Sequence, residues 1–489
     1  MFDRPPALRA RDVEPPGAFR PSAARPLPPL RPIADFVGLP DGGRPVPVEQ
    51  KLTIAGGAAV AWALVATVVA VATGGGLAGL VSWPYALALA VLTVSLPAAL
   101  AAFRALGLFL DETPPVQHLR PVTPVTVLLT GDDADAALTT LASLASQDYD
   151  GPRRVVVATR DAAVARALAG AALERRVDCE VVPDPGGAPA RNAALGRVAT
   201  PLVLAVEPGI TLHPSALRLL VARLESAPSD AVAVSAHTLV RNRDPGRLAE
   251  GLAAGWLLEL DQTRRLEDLF VGPLAGSRPC LLVRAEALRA VRGWAADEDS
   301  DAELTWRVLE CGWRVISEPL ALVFRTEMVT VGTPARWRTA AARAVRDAAR
   351  DAGGLQRLPR TSSRVLAGLD RFGPIVDVVF TLAWLQAVVL VGFGHPSLVL
   401  VHLLLVAPVS LGGAALERRR HREVLDDAAL LLVAPSGVRV AALLALQAVQ
   451  SPVAVWARLR TWPHRAGLGA PGAPVRPRRR LAAPVRPYA

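Results

Sequence analysis

The 489-residue sequence predicts an α/β domain held among membrane-spanning helices. That domain is a mixed, mostly parallel sheet covered by helices, with two spans before it and two or three after it. Three observations predict this. The composition is divided, 52% apolar yet 20% charged, with a mean hydropathy of +0.33, so one large part must sit in lipid and another in water. Apolar runs of about 20 residues, enough to cross a ~30 Å hydrocarbon core, fall in pairs towards each end. Between the pairs, short β-branched runs alternate with Ala/Leu/Arg stretches of helical period, the β-α-β order of a parallel sheet.

Residues 1–50 are rich in Pro and Arg without apolar periodicity and read as a disordered tail. No signal peptide is expected, because the first apolar run begins after residue 51. The runs 53–73 and 83–103, linked by Gly74, Gly75, Gly76 and Pro84, read as a helical hairpin spanning 51–104. Arginines precede it and Arg104 follows, so the positive-inside rule puts both ends in the cytoplasm. In the 115–370 domain, Val125–Thr130, 154–158 and 201–206 read as buried strands, and 136–146, 162–173 and 214–226 as helices. Residues 373–457 hold two further spans, 374–392 and 397–416, followed at once by Arg418, Arg419, Arg420, His421 and Arg422. The apolar region 428–456 is broken by Pro435, Ser436, Gly437 and Arg439 and reads as re-entrant or interfacial, which keeps the tail inside. The chain is expected in the cell membrane, multi-pass, with its N-terminus and α/β domain cytoplasmic.

The net charge of +10 rests on arginine, Lys51 being the only lysine. The tail from 458 to 489 carries eight arginines and no acid, which suits anionic membrane lipids. No aromatic-studded basic domain accompanies it, so nucleic acid is not the expected partner. Cys179, Cys280 and Cys311 lack metal-ligand spacing and read as buried thiols.

Five segments carry candidate chemistry. Gly131-Asp132-Asp133 follows the first strand as an acidic turn. The next helix ends in Ser143-Leu144-Ala145-Ser146-Gln147-Asp148-Tyr149. Residues 187–195 read GAPARNAAL. Arg292-Gly293-Trp294 precedes Asp299-Ser300-Asp301-Ala302-Glu303-Leu304-Thr305. Cys311-Gly312-Trp313-Arg314-Val315 leads to Glu318-Pro319. In order and spacing these resemble the motifs of inverting family 2 glycosyltransferases, and the flanking apolar pairs resemble the membrane-embedded branch that makes or exports polysaccharide.

The resemblance implies a GT-A-like fold, a nucleotide-sugar donor and a saccharide or lipid-linked acceptor. It implies that Asp301 is the base that takes the acceptor proton. Asp132, Asp161, Arg191, Asn192 and Glu207 would face the nucleotide sugar, and Asp299, Glu303, Arg343 and Arg346 the acceptor or diphosphate side. A divalent cation, Mg or Mn, would reach the site through Glu207. Each residue also has a structural reading. Asp301 could cap a helix over 302–310, with Trp306 and Val308 as core. Arg191 and Asn192 could be helix-entry residues, and Trp294 and Trp313 read as packing residues.

The sequence also departs from the family's pattern. The nucleobase-gripping Asp pair falls on Ala158 and Thr159, with Asp161 two residues on as a substitute. The metal-binding D-x-D falls on Glu207-Pro208-Gly209, which keeps one carboxylate. Of Q-x-x-R-W only Arg346 survives, with Arg343 beside it, and arginine suits phosphate geometry. Two function classes follow. One is a membrane-bound glycosyltransferase with weak or absent metal dependence. The other is a catalytically degenerate scaffold that keeps the fold to bind a partner or lipid-linked sugar.

Overall fold

The computed structural model describes residues 46–110, 120–184, 190–240, 266, 268–271, 279–294, 300–325 and 355–413. The N-terminal tail, the arginine cluster at 418–422, the 428–456 region and the basic C-terminal tail lie outside them. Largely apolar sequence forms α1 (Val48–Thr73) and α3 (Trp83–Phe109), both long and apolar enough to cross a membrane. A short α2 (Leu77–Leu80) lies between them. Towards the other end, α10 (Thr361–Gly392) and α11 (Ser397–Gly413) pack on this pair. At 32 residues, α10 is about 48 Å long. Its apolar part is Val379–Gly392, so its first turns belong to the α/β domain's surroundings.

A local defect in α3 explains one polar contact among these helices. Val91–Ser95 forms a π turn, and Pro97 offers no N–H to the Thr93 carbonyl four residues back. Away from water that carbonyl must find a donor within the protein. His402 on α11 supplies it, with Nδ1 2.7 Å from Thr93 O. A carbonyl only accepts, so Nδ1 carries the proton. Thr67 on α1 bonds Ser95 nearby at 2.7 Å.

Among the described residues, eight strands form one curled sheet. They are β1 (Val125–Thr130), β2 (Arg153–Thr159), β3 (Asp178–Pro183), β4 (Leu202–Val206), β5 (Ile210–Leu212), β6 (Ala231–Val240), β7 (Cys280–Arg284) and β8 (Arg314–Arg325). Their order is β3-β2-β1-β4-β7-β6-β8-β5. The first four are mutually parallel. β7 runs against both β4 and β6, β8 runs with β6, and β5 runs against β8. The sheet is mixed and mostly parallel, as the alternating sequence predicts. Its helices are α4 (Ala134–Ala145), α5 (Ala162–Glu174), α6 (Ala190–Leu195), α7 (Ala216–Ser226), α8 (Ala285–Ala290) and α9 (Ser300–Glu310).

Alternation along β1 divides the core between two faces. Val125, Val127 and Leu129 pack with Leu141 of α4, Leu168 of α5 and Leu220 of α7. Leu128 packs on the other face with Ala194 of α6, Leu288 of α8 and Leu304 of α9. Both faces are covered, which is why the parallel strands are nearly continuous apolar runs.

Two apolar clusters join this domain to the helices. Leu266 and Phe270 pack with Ala55 of α1 and Leu366 of α10, and the Phe270 ring stacks on Phe103 of α3 at 5.2 Å. Trp306 and Leu309 of α9 pack with Val271, Leu358 and Ala367 of α10. Asp230 reinforces the join: one oxygen lies 2.5 Å from Arg360, just before α10, and the other 3.1 Å from Arg314.

Candidate active site

The order β3-β2-β1-β4 places β1 at a topological switch. The chain leaves β1 towards β2 on one side and returns to β4 on the other, which opens a crevice outside their carboxyl ends. Gly131-Asp132-Asp133 occupies this edge. Asp133 caps α4, its Oδ1 accepting the Ala136 N–H at 3.1 Å. Asp132 reaches across to the β2–α5 turn, where Oδ1 accepts from Thr159 Oγ1 at 2.7 Å and Arg160 N at 2.8 Å. The Arg160 backbone N–H and then the Thr159 hydroxyl hold its carboxyl below the usual carboxylate range, helped by the Arg160 charge and the Asp161 N–H. Arg160 Nε in turn donates to the buried Asp184 at 2.7 Å. The carboxyl ends of β1, β2 and β3 are thus laced together.

Asp161, the expected substitute for the nucleobase-gripping pair, is the N-cap of α5. Its Oδ1 accepts from Ala163 N at 2.7 Å and Val164 N at 3.4 Å. Asp132 and Asp161 belong to one network, and Glu207 lies across the switch from them. Pro208 and Gly209 form the turn after β4, and Gly209 N donates to Ala136 O at 2.9 Å. Pro208 lies against Gly131 so closely that a Cβ there would come 2.8 Å from Pro208 Cγ. The turns after β1 and β4 therefore touch where the resemblance implies a cation. Glu207 N donates to Pro279 O, and its side chain lies near the Cys280 thiol, which burial first and Glu207 second push up. Among the described residues no three His, Cys, Asp or Glu side chains come together as a metal site. These residues do not fit a dication held in the D-x-D manner.

Arg191 and Asn192 open α6 and meet Trp294, 102 positions along the chain from Asn192. Asn192 Nδ2 donates to Trp294 O at 2.7 Å, and its Oδ1 accepts from Trp294 N at 2.9 Å. Arg191 lies over the Trp294 ring at 5.6 Å. Arg292 and Gly293 both have positive φ, +65° and +69°. A Cβ on Gly293 would come 2.3 Å from Asn192 Oδ1, so only glycine fits this approach. Arg307 of α9 holds the same turn from the other side, donating to Val291 O, and to Gly293 O at 2.8 Å. Trp294 is buried, as its packing reading expects.

Helix α9 begins at Ser300, two residues ahead of the expected 302–310 helix. Asp301 therefore lies in its first turn and is not the residue before it. A short turn joins α9 to β8, which starts beside the start of β6 and runs parallel to it. α9 therefore descends from the carboxyl edge, and its first turn lies towards that edge. For Asp301 and Glu303 the structure describes the backbone alone, and Asp299, Arg343 and Arg346 lie outside the described residues.

Two of the matching segments have internal roles. Gln147 accepts from Leu217 N through Oε1 and donates to Ser143 O and His213 O through Nε2. Tyr149 donates its hydroxyl to Thr123 O. The Ser143–Tyr149 segment therefore docks α4 on the β5–α7 connection, away from the crevice. Glu318 forms a buried ion pair with Arg223 of α7 at 2.5 Å, in a bulge of β8. Sequence reasoning did not single out Arg160, Asp184 or Arg307. Only Asp184 had a local signal, as an acid directly after a strand. A cavity of about 460 Å³ lined by Thr123, Thr200, Glu225, Arg284 and Arg289 lies at the opposite, amino edge. Its polar walls are already bonded, Arg284 to Leu224 O and Ala231 O, and Arg289 to Val198 O.

A curled, mostly parallel sheet open at a switch point, with apolar helices packed beneath it, defines an α/β class that hosts many chemistries. No family model matches this chain, and no curated protein matches it by sequence. Among solved structures it is similar to the mannosyltransferase PcManGT from Pyrobaculum calidifontis in complex with GDP-Man and Mn2+. The identity is 17% over 74% of this chain and 94% of that one, with a TM-score of 0.46. At that level, ligands are not carried across.

Proposed function

We propose that this chain is a membrane-bound inverting glycosyltransferase of the family 2 type. It moves a sugar from a nucleotide-sugar donor to a saccharide or lipid-linked acceptor for a cell-envelope or extracellular glycan. The observation that carries the reading is the carboxyl edge of the sheet. The Gly131–Asp133 turn lies there at the β1–β4 switch, and the start of α6 and the turn at 292–294, which resemble two further motifs of that family, meet through Asn192 and Trp294. Asp132 orders the β1 and β2 turns, and in this reading Asp301, in the first turn of α9, serves as the base. A hydroxyl attacking an anomeric carbon must lose its proton as the bond forms, and a positioned carboxylate contributes about 10²–10⁴-fold. Asp301→Asn keeps the side-chain shape, so turnover should fall at least about 100-fold with donor binding nearly intact. Near-normal turnover in that variant removes Asp301 from the role.

The metal is expected to matter little, because Glu207-Pro208-Gly209 offers one carboxylate and Pro208 lies against Gly131. A titration of nucleotide sugars into the full-length protein, with and without Mn2+, tests this. Tightening of more than about 100-fold, or ~2.7 kcal/mol, would overturn it. The same features favour the second reading, a non-catalytic scaffold. Asp161 is engaged as a helix cap, and the D-x-D position is a proline–glycine turn. That reading expects no turnover with any donor, and binding of a partner or lipid-linked sugar by the same fold.

A further inference from the structure

The Asn192 side chain was expected to face the donor, yet both ends of its amide are engaged by one backbone residue. The carbonyl takes the Trp294 N–H at 2.9 Å and the NH₂ donates to the Trp294 carbonyl at 2.7 Å. On the other side, the Arg307 guanidinium donates to the carbonyls of Val291 and Gly293. The turn between them has two consecutive residues of positive φ. One of these, Arg292, bears a side chain that disfavours that conformation, so the turn is held by its surroundings. Its two clamps come from different elements: α6 opens at the carboxyl edge, and α9 is the helix whose first turn carries Asp301.

We infer that Asn192 and Arg307 are positioning residues, which lock the turn at 291–294 between α6 and α9 and so fix where α9 begins relative to the strand ends. This rests on the transferase reading above for its consequence in catalysis. The geometry itself does not depend on that reading. Arg307 belongs to α9 itself, so a shift of the turn is passed on to that helix through its guanidinium. Gly293 is part of the same device, because any larger residue would collide with Asn192 Oδ1.

The test uses the full-length protein in nanodiscs, with Asn192→Ala, Arg307→Ala and Arg307→Lys. Hydrogen exchange of the Trp294 amide should quicken at least about tenfold in Asn192→Ala, since its acceptor is gone. With a panel of UDP-, GDP- and dTDP-sugars, donor Kd should stay within about threefold of wild type. Turnover at saturating donor should fall about 10- to 100-fold, the loss expected from misplacing a reacting group by about an ångström. Arg307→Ala should show the same split, and Arg307→Lys should recover part of the turnover. Donor Kd weakening in step with turnover would make Asn192 a donor contact and overturn the inference. If wild type binds no nucleotide sugar, the transferase reading fails separately. Trp294 exchange then decides the clamp alone, and an unchanged rate overturns it. Should Asn192→Ala not fold, Asn192→Asp keeps the acceptor for Trp294 N–H and should show the smaller exchange change.

Discussion

Asp132 shows how a single carboxylate can organise an edge without being consumed in the core. It is exposed, yet it accepts hydrogen bonds from the Thr159 hydroxyl and the Arg160 N–H. Its folded pKa lies below the ordinary value, so unfolding releases a group that binds protons more readily. The stability it contributes is fully present above the unfolded pKa of about 4. That contribution is lost as pH falls through the folded value. Thermal unfolding followed from pH 7 down to pH 3 should therefore show wild type losing stability faster than Asp132→Asn below about pH 4. Parallel curves would mean that the network is too solvated to matter. Asn192 teaches the complementary lesson: a residue at the expected place can have its hydrogen-bonding capacity committed elsewhere.

Among elements, the break in α3 and its repair by α11 make a separable pair. His402→Ala leaves the Thr93 carbonyl without its donor, at a cost of about 1 kcal/mol in thermal unfolding in detergent. Pro97→Ala restores an N–H four residues on, so the double variant should lose less than the sum of the two changes. Strict additivity would show that His402 acts instead through packing on the Trp384 ring of α10, whose centroid lies 4.6 Å from its own. At this scale the sequence is legible where period is strong. Val125–Thr130 appears as expected, and β2 and β4 differ by a residue or two, because doubly covered parallel strands are unbroken apolar runs. The later strands are harder to see. β5 has three residues, β3 mixes Asp178 and Glu180 with valines, and β8 bulges around Pro319. The site was legible in the same uneven way. An Asp before an alanine-rich helix is a local cap signal at Asp161, though the resemblance pointed that residue at the nucleobase, whereas the Asn192–Trp294 pairing spans too much chain for any window to reveal it.

For the whole molecule, the cytoplasmic side expected for the α/β domain rests on arginine placement and is open to direct measurement. Arg120 is exposed at the domain's entry. Arg120→Cys should stay unlabelled by an impermeant maleimide in intact cells and react once they are permeabilised. Labelling from outside would reverse the orientation. Background from native thiols should be low. Cys280 is fully buried, and Cys179 is pushed up to about 11, by burial first and Asp178 second. The joint between α9 and α10 has a practical corollary. Trp306, Leu309, Val271 and Phe270 are covered only while α1, α3 and α10 are present. A chain cut down to 120–360 would keep its sheet but uncover a wet hydrophobic face where those helices had been. Such a fragment should self-associate on purification, and detergent should be needed even though every strand is intact.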